Sequence, residues 1–189
     1  MFPVAVDVAN RVFGNLRNLL YLVFPSSVTS ISGGLAFTYN VECPLQTYGI
    51  VENNIYYSDN NFIIRKSDHY LVSAPTNCII SSDAVGIASE AIYYNYQRTT
   101  ITIPGNITYI ANYGLRYMHG LTTVYIDNPT ISLANSAFLC GQIDTVYYNG
   151  TVAQYNNKGQ TWIRGMFNNS DNISVSIYCT DSDDPIVLS

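Results

Sequence analysis

Charge is scarce in this chain. Asp, Glu, Lys and Arg together make up 11% of its 189 residues, and the formal net charge is −5. The 8 Lys and Arg residues are scattered, so the basic stripe that neutralises phosphates is missing and no nucleic-acid partner is expected. Histidine occurs twice, at His69 and His119, and neither stands beside a nucleophile in the sequence. No G-x-S-x-G, H-E-x-x-H or phosphate-loop pattern occurs. Paired carboxylates could serve a glycosidase. The acidic cluster Asp181, Asp183 and Asp184, in "CTDSDD", reads instead as a solvated tail, and it lacks the alternating pattern of a calcium loop. No enzymatic activity, cofactor or metal is expected.

Long apolar runs are also absent. The longest, "LLYLVF" at 19–24, falls far short of the roughly 20 residues that cross a bilayer, so no membrane insertion is expected. A secretory leader needs a basic stretch followed by about 7 to 15 apolar residues. The opening "MFPVAVDVANRVFG" has neither, so the chain is not expected to direct its own export. Cys43, Cys78, Cys140 and Cys179 form no C-x-x-C pair and have no companion histidines, which excludes a zinc or redox signature. They read as buried free thiols acting as small hydrophobes. The sequons at Asn106, Asn149, Asn168 and Asn172 carry little weight in a chain so rich in Asn, Ser and Thr.

What is abundant is apolar content, at 48%, and tyrosine, with 17 residues. That suffices for a core beneath a surface that is polar without being charged. The apolar residues recur with a period. "ITIPGNITYIANYGL" at 101–115 is echoed 23 residues later by "VYIDNPTISLANSAF" at 124–138. Ile101, Ile103, Pro104, Ile107, Ile110 and Leu115 map forward onto Val124, Ile126, Asp127, Thr130, Leu133 and Phe138. They map backward onto Cys78, Ile80, Ser81, Ala84, Ile87 and Ile92. Leu22, Phe24, Pro25, Val28, Ile31 and Phe37 form an earlier copy, and "VDVANRVF" at 6–13 a half copy, giving about five in all. A fixed period of this length is the mark of a stacked-coil solenoid, in which one copy cannot cover its own apolar face and neighbours complete the core. Alternation at the head of each copy predicts short parallel strands near 20–24, 77–80, 100–103, 123–126 and 145–148, all in one shared sheet. "NIYY" and "FIIRK", separated by "SDNN", predict an antiparallel hairpin near 54–72.

The apolar strand followed by "IP", V-x-x-I and A-F, seen in "VFPSSVTSI", "ITIPGNITYI" and "NSAFLC", resembles the BspA-type leucine-rich-repeat family. The resemblance implies a repeat solenoid of the leucine-rich-repeat class, mainly β with short helical or irregular turns. It also implies one domain over 1–189: N-terminal coils to 52, an inserted hairpin at 53–75, central coils at 76–148 and a C-terminal cap at 149–189. Members of the family are mostly recognition and adhesion modules with differing ligands.

Two surfaces follow from the pattern. The residues between the buried strand positions point outward, and they include Tyr21, Val23, Thr100, Thr102, Thr123, Tyr125, Thr145 and Tyr147. Tyrosine gives contact area and a hydroxyl at low entropic cost, which suits a protein or glycan ligand, although Thr and Tyr are also simply good strand residues. The N-terminal half copy has no polar cap before it, so Val4, Val6, Val8, Val12 and Phe13 are expected to form an apolar edge for self-association or docking to a larger protein. The expected function is a non-enzymatic recognition or adhesion module, extracellular or at a cell surface. The alternative is a structural part of a larger assembly, such as a phage fibre or capsid decoration in a virion, held through that edge.

Overall fold

A three-sided coil of about 23 residues is the building unit of the computed structural model, which describes residues 6–9, 19–32, 46–75, 79–93, 98–140, 142–159, 162 and 174–188. In chain order the strands are β1 (Val6–Val8), β2 (Tyr21–Phe24), β3 (Val28–Ile31), β4 (Thr47–Ile50), β5 (Tyr56–Asp59), β6 (Phe62–Arg65), β7 (Tyr70–Ser73), β8 (Gly86–Ile87), β9 (Ile92–Tyr93), β10 (Thr100–Ile103), β11 (Tyr109–Ile110), β12 (Leu115–Arg116), β13 (Thr123–Ile126), β14 (Ser132–Leu133) and β15 (Thr145–Tyr148). The helix α1 (Val152–Lys158) and strands β16 (Val175–Tyr178) and β17 (Ile186–Leu188) complete the chain. The described residues form a mostly-β solenoid of about 5 turns that includes the short helix α1.

The 23-residue period is the strand register itself. β10 pairs in parallel with β13 as Ile101↔Val124 and Ile103↔Ile126. On the second side of the coil β8, β11 and β14 pair in parallel, as Ile87↔Ile110 and Ile110↔Leu133, and on the third side β9 pairs with β12 as Ile92↔Leu115. Ile101, Ile103, Ile107, Ile110, Leu115, Val124 and Ile126 are all buried in one continuous core. Each side chain of this size contributes about 1.5–3 kcal/mol on burial, which offsets the ordering of short strands that could not hold alone. The corner between the second and third sides uses left-handed backbone at one position per coil, at Glu90 (φ 55°), Tyr113 (φ 60°) and Ser136 (φ 56°). The first two of these N–H groups donate to the matching corner of the next coil, Glu90 to Tyr113 O and Tyr113 to Ser136 O.

At one slot the expected alignment is off by a residue. The period places Thr130 in the position of Ile107, but Thr130 is exposed and Ile131 fills the core. The cause is Asn128, which is buried and takes up the extra residue of "DNP". Its side-chain N–H₂ donates to Ile107 O at 2.8 Å, and its Oδ1 accepts from the Thr130 N–H and hydroxyl. Asparagines recur at this turn: Asn53 donates to Ser26 O and Val28 O, Asn106 to Ser81 O and Ala84 O, and Asn149 to Asp127 O. Each one ties its coil to backbone carbonyls at a turn of the coil before it.

The expected single sheet is split. β10, β13, β15, β16 and β17 form one sheet, whereas among the described residues β2 pairs only with β4. Residues 79 and 80 of the expected strand at 77–80 are not strand, and 77 and 78 lie outside the described residues. The antiparallel strands β5, β6 and β7 account for the break. β4 bonds β2 on one edge, and on its other edge the Tyr48 and Ile50 N–H groups donate to Asn61 Oδ1 (3.0 Å) and Ser58 Oγ (2.6 Å). Ser58 donates in turn to Ile50 O. Side chains of the β5–β6 hairpin therefore take the groups that a following strand would need. Asn60 and Asn61, both with positive φ, make the two-residue turn that presents them.

The same strands divide the core. Phe62, Ile64 and Leu71 face the core of the later coils, while Ile63 and Val72 face a second cluster with Val8, Phe24, Val28, Tyr48 and Ile50. Strands β6 and β7 are thus apolar on both faces, like strands inside a sandwich. At the far end α1 begins with a capping box between Thr151 and Gln154 and buries Tyr155. β17 then pairs antiparallel with β16, ending the run of parallel strands. Cys140 and Cys179 are free and buried, as expected; Cys43 and Cys78 lie outside the described residues.

Candidate functional site

The outer face of the five-stranded sheet is built by register. One row reads Thr100, Thr123, Thr145 and Ser176; the next reads Thr102, Tyr125, Tyr147 and Tyr178. Because parallel partners at the same register lie one strand spacing apart, about 4.8 Å, the rings must stack. Tyr125 and Tyr147 are 4.7 Å apart between ring centroids and 9° from parallel; Tyr147 and Tyr178 are 5.1 Å apart and 21° from parallel. Tyr147, in the middle of the stack, is as exposed (40%) as Tyr125 (38%). A central ring has both faces covered, so what Tyr147 offers to solvent is its edge and hydroxyl.

The three tyrosines border a depression of about 430 Å³, which Asp127, Tyr148, Asn149, Cys179 and Thr180 complete at the ends of the strands. Tyr148 forms part of its floor, its hydroxyl donating to Pro129 O at 2.6 Å. The Asn149 amide is turned to Asp127 O. Asp127 is the ionisable carboxylate of the lining, and no Lys, Arg or His among the described residues joins it. The Cys179 thiol is held above its ordinary range by burial and by the charge of Asp181, so it is no ready nucleophile.

The other expected site residues are distributed differently. Tyr21 and Val23 are well exposed but lie on β2, in the separate two-stranded sheet. Of the expected association edge, Val6 is exposed and Val8 points into the core with Phe24 and Val28; Val4, Val12 and Phe13 lie outside the described residues. His119 stacks on Tyr117. His69 Nδ1 is 3.2 Å from the Tyr57 hydroxyl, which donates to Asp83, while the Ser81 hydroxyl donates to Asp59. Burial, then the bond to Asp83 and the charges of Asp83 and Asp59, push the Tyr57 phenol up, so it keeps its proton and fastens β5 to the coil at 79–85. Asp181 accepts from the Val152 N–H at the start of α1. Asn106 and Asn149 spend their side-chain N–H₂ groups on carbonyls, as described above, and Asn168 and Asn172 lie outside the described residues. Among the described residues no group of His, Cys, Asp or Glu is arranged to hold a metal, and no helix is long and apolar enough to cross a membrane.

Tyr178 is the member of the row that sequence reasoning missed. It comes 31 residues after Tyr147, outside the 23-residue period, yet the alternation V-S-I-Y of β16 carries the same in–out signal as β15. The T-x-x-Q box that starts α1 was equally legible and equally unused.

A profile described as BspA type leucine rich repeat region matches residues 52–174 in 6 copies. No curated protein matches. Among solved structures the chain is similar to the pneumococcal vaccine antigen PcpA, with 14% identity over 77% of this chain and 43% of that one and a TM-score of 0.47. It is also similar to a leucine-rich repeat protein from Eubacterium ventriosum, with 23% identity over 68% of this chain and 30% of that one and a TM-score of 0.39. A third is a leucine rich cell surface protein from Faecalibacterium prausnitzii, with 12% identity over 87% of this chain and 49% of that one and a TM-score of 0.32. The chain spans less than half the length of each.

Proposed function

The chain belongs to the BspA-type leucine-rich-repeat family, and from that premise we propose that it is a non-enzymatic recognition module, acting outside the cell or at its surface, that holds a macromolecular ligand on the Thr–Tyr face of β10, β13, β15 and β16. The observation that carries this reading is the stack Tyr125–Tyr147–Tyr178 beside a depression. Strand propensity explains tyrosine in a strand and register explains the stacking; neither gives a reason for the stack to border a concavity with a carboxylate, an amide and a hydroxyl at its rim. The site has none of the pairings of base and activated nucleophile that chemistry needs.

The test is retention of the labelled chain on layers of intact cells and on their extracted surface polymers. Replacing Tyr125 and Tyr147 together with Ala is expected to lower retention at least tenfold, while Ser132→Ala on the second side of the coil leaves it unchanged. Equal retention of all three proteins would contradict the proposal. A second reading, association through the N-terminal coil, is favoured by one observation: among the described residues β1 pairs only on the side of β3, which leaves a strand edge open. It predicts a dimer or larger species by light scattering. A monomer at all concentrations would remove it, and with it the support for docking into a virion.

A further inference from the structure

We infer that the ligand of this face is a neutral, hydroxyl-rich glycan chain lying across the strands, along the tyrosine row and into the depression at Asp127, Asn149 and Thr180. The inference rests on the recognition reading above and narrows it to a ligand class.

Three observations converge. The first is which parts of the rings are available. Stacking covers both faces of Tyr147 and the facing sides of Tyr125 and Tyr178, so an apolar side chain of a polypeptide finds no wide aromatic face inside the row. What remains is a line of phenol hydroxyls and ring edges, one per strand spacing. Ring edges carry the positive side of the aromatic quadrupole, and phenols both donate and accept, so the line suits oxygens that do the same. Beside it runs a second line of hydroxyls, Thr100, Thr123, Thr145 and Ser176.

The second observation is charge. Asp127 lines the depression with no Lys, Arg or His among the described residues of the lining, so a sulfated, phosphorylated or carboxylated ligand meets a like charge and finds no counter-charge in the lining to bond. A carboxylate accepts two hydrogen bonds side by side, which neighbouring hydroxyls of a sugar ring can donate. Thr180 adds a hydroxyl on the same rim, and Asn149, whose N–H₂ is engaged with Asp127 O, adds its amide oxygen. The third observation is spacing. The row repeats every 4.7 to 5.1 Å, close to the length of one pyranose unit in an extended chain. Successive sugars therefore meet equivalent groups on successive strands.

The experiment titrates the full chain, by calorimetry, with neutral oligosaccharides of two to six units from cellulose, laminarin and mannan, with a sulfated and a uronic-acid oligosaccharide of equal length alongside. At least one neutral series is expected to bind, with affinity rising with length to about four units, one per strand of the row. Tyr147→Phe keeps the stack and removes one hydroxyl, and a loss of roughly three- to tenfold is expected. Asp127→Asn is expected to cost about tenfold. Unchanged melting of both variants separates lost contacts from lost folding. If no neutral series binds at millimolar concentration, if only the acidic sugars bind, or if both variants bind as well as the parent, the glycan inference is overturned. In that event, a polypeptide held by wild-type chain and lost on Tyr125→Ala with Tyr147→Ala would overturn the glycan inference alone. Cell retention indifferent to the same double change would overturn the recognition reading with it.

Discussion

Asn128 joins two coils with one side chain, giving two N–H bonds' worth of order to a turn that would otherwise bury polar backbone beside Ile107 and Thr130. Replacing it with Ala leaves the buried Ile107 carbonyl without this partner, and a loss of about 1–3 kcal/mol is expected in urea unfolding. A smaller loss would mean that the turn rearranges to take water. The thiol of Cys140 makes a second prediction. Burial pushes it up to about 12, and the Sγ–H donates to Leu115 O. At any pH between 6 and 9 the group therefore stays protonated in the folded chain, and alkylation should label Cys140 only at the rate of unfolding. Labelling in the native state that rises with pH would contradict this. At this scale the sequence was legible wherever a residue repeats an apolar role: Ile101, Ile103, Ile107, Ile110 and Leu115 are all core. It was illegible at Thr130 and Ile131, because a buried asparagine shifts the alignment by one without disturbing the strands on either side.

Strands β5 to β7 were predicted in part and for a sound reason: two alternating apolar runs around a turn sequence favour pairing with each other, as β5 and β6 do. What the pattern could not express is that Ser58 and Asn61 reach across to the free edge of β4. Such bonds from side chain to backbone have no period and no apolar signature, so the sheet looked continuous in sequence and is broken in space. Ser58→Ala should therefore cost about 1–3 kcal/mol, since it orphans Ile50 N–H and C=O together. Gly49 bears on the same contact: a Cβ there would lie 2.5 Å from Ser58 Oγ, so Gly49→Ala is expected to weaken the junction as well. Hydrogen exchange of the Ile50 amide is the direct readout for both, and protection equal to that of the parent would refute the role given to Ser58.

The described residues pack into two clusters on either side of one partition, with the larger under the tyrosine face. Stability in stacked-coil proteins is the sum of coils and their interfaces, so the smaller cluster is expected to open first. Amides of β2 and β4 should exchange at lower denaturant than those of β10 and β13; a single common opening would contradict this division. The consequence for function is that Tyr21, though the most exposed of the candidate tyrosines, lies on β2 in the separate sheet and not in the row. The central claim is that Tyr125, Tyr147 and Tyr178 act together as the binding face, and its most direct test is chemical nitration of tyrosine read by mass spectrometry, with and without the surface polymer that retains the chain. The account predicts that bound polymer protects Tyr125, Tyr147 and Tyr178 together and leaves Tyr21 as reactive as before. Protection of Tyr21 with continued nitration of Tyr147 would contradict it.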